Sequence, residues 1–461
     1  MSTTWQQRVD LRRLRLELAG EVIGPDDASY DTARSVFSPV FDKRPAAIVR
    51  PVDDTAVASV VGLARESGIE LAVRGGGHSF AGHGVSDGGL VLDLSWLDTL
   101  DVDAEAGVAT AEAGLTSGKV TKAVTAEGFA IGFGDTASVG IGGLTLGGGV
   151  GYLVRKHGLT IDSLLSARVV TANGRIQQVD ANNHPDLFWA IRGGGGNFGV
   201  VTRFRYRLNP LVGATGGMLV LPATPDTIAS FVRAAEEAPD ELSTIANVMP
   251  APPMPFLAEE HHGRLVLLAM IFHAGPTDDA QQALAPFRSI AEPLADLLRP
   301  LSYEDMYPPE NGPAPRATGR TLFVDELDRG VAAEILGRLS ASTAQMAVTQ
   351  LRVLGGAMAR VPADATAFPH RERRIMVNLG AVYATPDEAP VHEAWLDAFA
   401  ESLGNGNDDA YVNFLGDEGR DRARAAYPGE TWNRLREVKR RYDPDNVSRV
   451  NHNVPPADEF G

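Results

Sequence analysis

The chain has 461 residues, 44% of them hydrophobic and 22% charged, with a formal net charge of -17 and no cysteine. Its length calls for two or three domains with ordinary globular cores, and its acidity argues against nucleic acid and acidic membranes as partners. The lack of cysteine excludes disulfides, thiolate nucleophiles, iron–sulfur clusters and cysteine zinc sites together.

Residues 1–20 carry no continuous apolar core followed by a small-residue cleavage site. No stretch reaches the ~20 apolar residues of a membrane span, so a cytoplasmic location is the expectation. The segment 53–67 opens with acidic cap candidates and sets Val57, Val60, Val61 and Ala64 at helical spacing, predicting a helix that Gly68 stops. ELAV (70–73) predicts a short strand cut off by Gly75, Gly76 and Gly77, residues 89–97 a second strand, and residues 119–128 a helix closed by Gly128. From Gly132 to Gly151, nine of twenty positions are glycine. Ordering such a segment is entropically unfavourable, and close approach of backbone amides to a ligand is the commonest compensation. A flexible linker is the alternative, but Val139, Ile141, Leu144, Leu146, Val150 and Leu153 interleave the glycines and argue against it.

Residues 167–180 predict a strand pair around the turn dipeptide Asn173-Gly174. Residues 186–208 predict a short helix, a glycine loop and a long strand. In that strand Val201, Arg203, Arg205 and Arg207 share one face, and Val200, Thr202, Phe204, Tyr206 and Leu208 the other. After Pro210 the glycine density falls. Strand patterns at 218–223, 264–274 and 375–384 alternate with helical ones such as 278–298, which predicts an antiparallel sheet with helices on one side. Residues 302–320, rich in Pro, Gly and charge, predict an irregular loop, and a new block starting at 411 ends in a helix over 431–442 and a tail.

Gly194, Gly196 and Gly199 match G-x-G-x-x-G, but the loop follows a helix and precedes a strand, the reverse of a dinucleotide-binding motif. No acidic residue follows at ribose-binding distance, so an NAD-dependent dehydrogenase is the inferior reading. No P-loop is present, since Gly114 and Gly118 precede Lys119 at the wrong spacing. There is no nucleophile elbow and no H-E-x-x-H motif. His261-His262 reads as a solvated loop pair, and no metal site is expected. In RGGGHSFAGHG (74–84) a histidine leaves three glycines directly after an apolar strand. From the residues alone His78 either projects into a ligand site or sits by chance in a turn.

Four segments occur in order: RGGGHSFAGHG, ASVGIGGLTLGGGVGYLVRKHGLTID (137–162), FWAIRGGGGNFGVVT (188–202) and YDPDNVSRVNHN (442–453). Together they closely resemble the berberine bridge enzyme-like branch of the FAD-linked oxidases of vanillyl-alcohol oxidase type, in particular its bacterial members with one covalent link. The resemblance spans nearly the whole chain. It implies an α+β fold: a PCMH-type FAD-binding domain of two α+β subdomains (1–210, core about 42–210), a substrate domain with an antiparallel sheet covered by helices (211–410), and a segment returning to the FAD domain (411–461). It assigns the covalent flavin link to His78. The cysteine that makes a second link in many members is Thr136 here, so the flavin would be singly attached. The histidine usual after the Gly-Gly is Leu144.

The resemblance further implies that Ser138, Val139, Gly140, Gly142 and Gly143 cradle the pyrophosphate, flanked by Arg74, Gly75, Gly76, Gly77 and Ser79, with Gly148, Gly149, Tyr152, Asp162, Val201, Asn451 and Asn453 as further contacts. Backbone N–H groups converging on one point hold phosphate without a cationic side chain. YVNF (411–414) matches the family's Y-x-N segment, making Tyr411 the candidate base and Asn413 its partner, with Tyr152, Tyr383 and His370 in reserve. A buried structural tyrosine is the alternative. Phe414 stands where the family often has a second tyrosine. Residues 354–371 are expected to line the substrate pocket. The expected activity is hydride removal from an alcohol or amine carbon of a small molecule, with O2 as acceptor and hydrogen peroxide as product. A ring-closing tailoring enzyme, a dehydrogenase with another acceptor and a flavin carrier without catalysis remain as alternatives.

Overall fold

The computed structural model describes residues 11–307, 312, 314–404, 406 and 408–458. The helix Asp54–Ser67 begins where the Asp53 carboxylate accepts from Ala56 N at 2.8 Å and ends at Gly68, whose φ of +69° suits glycine. It buries Val57, Val60, Val61 and Ala64 against a four-stranded sheet ordered Gly20–Ile23, Ala47–Pro51, Leu90–Asp93, Leu71–Arg74. The last three strands run parallel and the first antiparallel. The strand expected over 89–97 stops at Asp93, because that carboxylate accepts from Ser95 N and turns the chain into a 3-10 turn, Leu94–Trp96.

A second, antiparallel sheet orders Leu100–Asp103, Val108–Glu112, Val200–Arg207, Leu164–Val170 and Ile176–Asp180. Its last two strands pair through the expected turn, with Gly174 at φ +77°. In Val200–Arg207 the alternation holds: Phe204 and Tyr206 are buried, while Arg205 and Arg207 are exposed.

The largest sheet runs Ala295–Asp296, Thr215–Pro222, Leu265–His273, Leu242–Pro250, Met346–Val353, Ile375–Tyr383, Arg316–Val324, all antiparallel. Leu219, Ala246, Leu322, Leu351 and Val377 meet Ile228, Phe231, Ile335, Leu396 and Phe399 of the helices Pro225–Glu237, Arg329–Ser340 and Ala389–Gly404. Two expectations need correction. Residues 302–320 are not wholly irregular, since Arg316–Val324 is an edge strand whose ladder partner is Ile375–Tyr383. The helix expected over 278–298 ends at Arg288, two residues after Pro286, and 295–296 instead pair with the first long strand.

One hydrophobic core joins residues 14–208 to 367–454, and another lies within 219–403. The two halves are tied by Arg371, which donates to both Asp162 oxygens at 2.7 and 2.8 Å and is 1% exposed. The tail closes over the first half. In the helix Glu430–Tyr442, Lys439 is wholly buried and donates to Asp443, to Asn197 O at 2.7 Å and to Ser448 O at 2.8 Å. Among the described residues no helix is long and apolar enough to cross a membrane.

Candidate functional site

A cavity of about 620 Å³ lies between the glycine loops and the uncovered face of the large sheet. Two glycine runs meet there backbone to backbone. A Cβ on Gly76 would lie 2.3 Å from Gly140 N, and one on Gly140 would lie 2.2 Å from Gly76 N. Only glycine permits that approach. Gly143 and Gly196, by contrast, face open space, with nothing within 4 Å of a built Cβ. The backbone is thus bared to the cavity at some positions and locked to itself at others.

Arg74, Gly75, Gly76, Gly77, His78, Ser79, Val139, Gly140, Gly142, Gly143, Val201 and Asn451 line the cavity, as do Thr136 and Leu144. The His78 ring stacks on Phe37 at 4.1 Å, and its Nε2 lies 2.8 Å from Ser138 Oγ, which fixes the ring plane. Arg74 is occupied elsewhere: it donates to Asp93 at 2.9 Å and to Ala33 O at 2.6 Å. Burial opposes ionisation of Asp93, but Arg74 and Arg50 outweigh it and hold the carboxyl below its usual value. Arg74 therefore braces the loop by its guanidinium. Asn451 Nδ2 donates to Gly196 O at 3.2 Å, while the Oδ1 atoms of Asn451 and Asn453 are buried without a partner among the described residues.

Tyr411 and Asn413 both reach the cavity. The Tyr411 hydroxyl accepts from Gly149 N at 2.8 Å and from Asn413 Nδ2 at 2.9 Å. Asn413 is oriented by a second donation to Leu144 O at 3.0 Å. Gly147 leaves room for it, since a Cβ there would lie 2.0 Å from Asn413 Oδ1. Burial pushes Tyr411 up to about 12, while Gly149 N–H, Asn413 and the charge of Arg352 pull the other way. The segment after Tyr411 is a 3-10 turn, Val412–Phe414.

Other expected residues lie elsewhere. Gly148 and Gly149 sit behind Tyr411 rather than on the cavity wall. Tyr152 packs with Phe272, Tyr303 and Met306 in a separate apolar cluster, where burial raises its pKa. Asp162 serves Arg371 and Leu159 N. Tyr383 stacks on His392, and His370 lies behind Phe368 with Nε2 at 3.0 Å from Ala426 O. None of residues 354–371 lines the cavity. Phe368 backs Tyr411 edge to face at 5.9 Å, and Arg371 ties the halves, so this segment supports the site from behind. Among the described residues no group of three or more His, Asp or Glu is placed to hold a metal.

Sequence reasoning missed the sheet wall. Arg352, with a side chain 4% exposed, donates to Asp135 at 2.6 Å, Val150 O at 3.1 Å and Gln350 Oε1 at 2.8 Å. Its charge is fully bound, as a buried guanidinium requires. The signal was the pair Gln350 and Arg352, two long polar residues on the face of a strand opposite Ala347, Leu351 and Val353. Also missed were His83 and His452, cavity-lining rings packed edge to face at 4.8 Å. Burial lowers them to about 3 and about 4, so both are neutral at pH 7.

Residues 45–180 match the FAD binding domain family, and residues 410–455 match the family of berberine and berberine-like proteins. An FAD-linked oxidoreductase of Bacillus subtilis, YvdP, is 30% identical, with 96% of this chain and 99% of that one aligned. (R)-6-hydroxynicotine oxidase of Paenarthrobacter nicotinovorans is 29% identical over 96% of this chain and 98% of its own length. The crystal structure of 6-hydroxy-D-nicotine oxidase from Arthrobacter nicotinovorans superimposes with a TM-score of 0.82 at 26% identity, covering 99% of this chain and all of that one.

Proposed function

The chain belongs to the berberine bridge enzyme-like FAD-linked oxidoreductases, and on that premise we propose that it is an oxidase carrying one covalently bound FAD and acting on an alcohol or amine carbon of a small molecule. The observation that carries the reading is the Tyr411 hydroxyl, buried at the cavity with two N–H donors aimed at its oxygen. The two N–H donors and the charge of Arg352 pull toward the phenolate, the form a base needs, against the burial that holds the group up at about 12.

The residues present suit the flavin. His78 would be its single covalent anchor, because the position for a thioether holds Thr136. The amides of Ser138, Val139, Gly140, Gly142 and Gly143 and the bared Gly196 would meet phosphate, and Asn451 on the cavity wall, whose Oδ1 has no partner among the described residues, would supply an acceptor for an N–H or O–H group of a bound dinucleotide, whereas Asn453 lies off the wall. Bound FAD supplies the hydride acceptor and passes the electrons on, which we take to be to O2. The protein does the rest. Tyr411 Oη takes the proton from the substrate's O–H or N–H, Gly149 N–H and Asn413 hold the tyrosine oxygen in place, and the Arg352 charge stabilises the phenolate. Phe80 and Phe414, edge to face at 5.8 Å, form an apolar part of the wall.

Relatives named as 6-hydroxynicotine oxidases support a peroxide-forming reaction over a dehydrogenase. The test is direct. Acid-precipitated protein should stay yellow, and the His78→Ala variant should release all of its flavin. Across alcohols, sugars and cyclic amines, including 6-hydroxynicotine, a productive substrate should bleach the flavin anaerobically and yield one peroxide per turnover in air. A flavin that bleaches but is not reoxidised by air would defeat the oxidase assignment. A His78→Ala protein that keeps acid-stable flavin would defeat the anchor.

A further inference from the structure

Two side chains from separate loops close on the His78 imidazole. The ring is half-buried on the cavity wall, and Phe37, also on the wall, lies against one of its faces at 4.1 Å and 24°. Phe37 is held there by its backbone, whose N–H donates to Gly77 O at 3.1 Å. Ser138 Oγ lies 2.8 Å from Nε2, at the ring edge. Ser138 does not appear among the described residues that line the cavity, so its hydroxyl acts there only through the histidine.

Main chain fixes both partners. Before Ser138, Ala137 O accepts from Gly118 N at 2.9 Å; after it, Val139 O accepts from Ser117 N at 2.8 Å and from Ser117 Oγ at 3.0 Å. Ile141 N donates to Leu115 O at 3.0 Å. The contact of Gly76 with Gly140 then presses the His78 loop against this clamped segment. A pair so held is preorganised for its task. A neutral imidazole has one N–H and one lone pair, and the hydrogen bond made by one nitrogen decides the form of the other. Were the serine to donate to Nε2, that lone pair would be occupied and Nδ1 would carry the proton, leaving neither nitrogen able to form a bond. With Nε2–H donating to Ser138 Oγ, Nδ1 keeps its lone pair. Histidines that bind metals use the same device, in which the outer hydrogen bond sets the tautomer and raises the basicity of the bonding nitrogen.

We propose that Ser138 is the positioning residue for covalent attachment: its Oγ accepts the Nε2 proton, so that the bond to the flavin 8α carbon forms at Nδ1. This rests on the single His78 link proposed above. The bond made joins Nδ1 to the 8α carbon, and the bond broken is a C–H of that methyl group. The methyl proton is lost, and so is the Nε2 proton, which leaves past the serine hydroxyl. The electron pair of the C–H bond stays on the flavin and then passes to dioxygen, which takes up two protons and becomes hydrogen peroxide. Attachment thus consumes one dioxygen per tether and needs no other reactant.

The test uses full-length protein purified free of flavin and mixed with FAD in air. Quenching of flavin fluorescence reports binding, and flavin retained after acid precipitation, checked by intact mass, reports attachment. Ser138→Ala, which keeps the main-chain amide, should bind FAD with a similar constant and attach it about tenfold more slowly, the effect of one lost hydrogen bond. Ser138→Thr, which keeps the hydroxyl, should recover the rate. A merely structural role would weaken binding and attachment together. That result, or attachment by Ser138→Ala at the unmodified rate, would overturn the assignment. FAD that binds the unmodified protein but is wholly released by acid defeats the His78 link itself, and a chain that binds no FAD defeats the flavin reading. Should Ser138→Ala not fold, nuclear magnetic resonance of the flavin-bearing peptide from the unmodified protein still decides: substitution at Nδ1 supports the role of Ser138, and substitution at Nε2 removes it.

Discussion

The two walls of the cavity are written in different chemical terms. The glycine side, where we place the flavin, is backbone: Gly76 and Gly140 touch through main-chain atoms, and Gly143 and Gly196 expose theirs. The sheet side is side chain: Gln350, Arg352 and Asn378 project from alternate positions of a ladder whose hydrogen bonds do not depend on them. Replacement on the first wall should therefore decide whether a site exists, and replacement on the second what the site accepts. The asymmetry matches the two tasks of such an enzyme, one cofactor held constant and a substrate free to vary between relatives.

The strongest way to break that contrast is a methyl group in the glycine wall. Gly140→Ala sets a Cβ 2.2 Å from a main-chain nitrogen that cannot step aside, so no FAD-loaded protein is expected, read as loss of visible absorbance after purification. Gly143→Ala sharpens it: with open space at that position, circular dichroism and melting temperature should be unchanged while flavin occupancy falls. Next in size, Tyr411→Phe should lower kcat roughly 10²–10⁴-fold at constant flavin content. It should also abolish the rise of kcat with pH, a rise expected because burial holds the phenol above its ordinary value and only its ionised form takes a proton.

A smaller effect comes from acid. His83 and His452 stay neutral in the fold down to about 3 and about 4, whereas the unfolded chain takes up protons below its ordinary histidine value. Stability is therefore lost as pH falls below about 6.5, by roughly 1.4 kcal/mol per pH unit for each ring until its folded pKa is reached. Melting curves from pH 8 to pH 5 should show the slope, and His452→Gln should flatten it. Smallest is Val348→Ala on the sheet wall, at a half-buried cavity position. Stability should change by less than about 1 kcal/mol while KM values shift between substrates.

The same asymmetry governed what could be read in advance. Glycine clusters are conspicuous, because no other residue takes their place where backbone meets backbone, and the segments around His78, Gly140 and Tyr411 accordingly reached the cavity. The helix bounded by Asp53 and Gly68 was legible for a related reason, since caps are local chemistry. The sheet wall was hidden because its meaning lies across strands. Gln350 acquires direction only from Arg352 two positions on and from Asn378 twenty-eight residues away. Tyr152 and Asp162 sit in glycine-rich sequence yet face away from the cavity, toward Phe272 and Arg371, which proximity along the chain could not reveal. Resemblance assigned residues 354–371 to the pocket, but their aromatic and basic groups turn to the back of Tyr411 and to the seam between halves.

The buried Lys439–Asp443 pair sets a timetable for biosynthesis. Lys439 clasps the carbonyl of Asn197, 242 residues earlier, so a nascent chain displays its glycine-lined half-site, unsealed, until that helix has been made. Closure across such a sequence separation is slow compared with the local contacts of either half. With the single covalent link proposed above, capture of the dinucleotide and formation of its tether would then fall to the completed polypeptide. A ribosome-stalled chain ending before residue 439 should emerge without colour even when FAD is abundant.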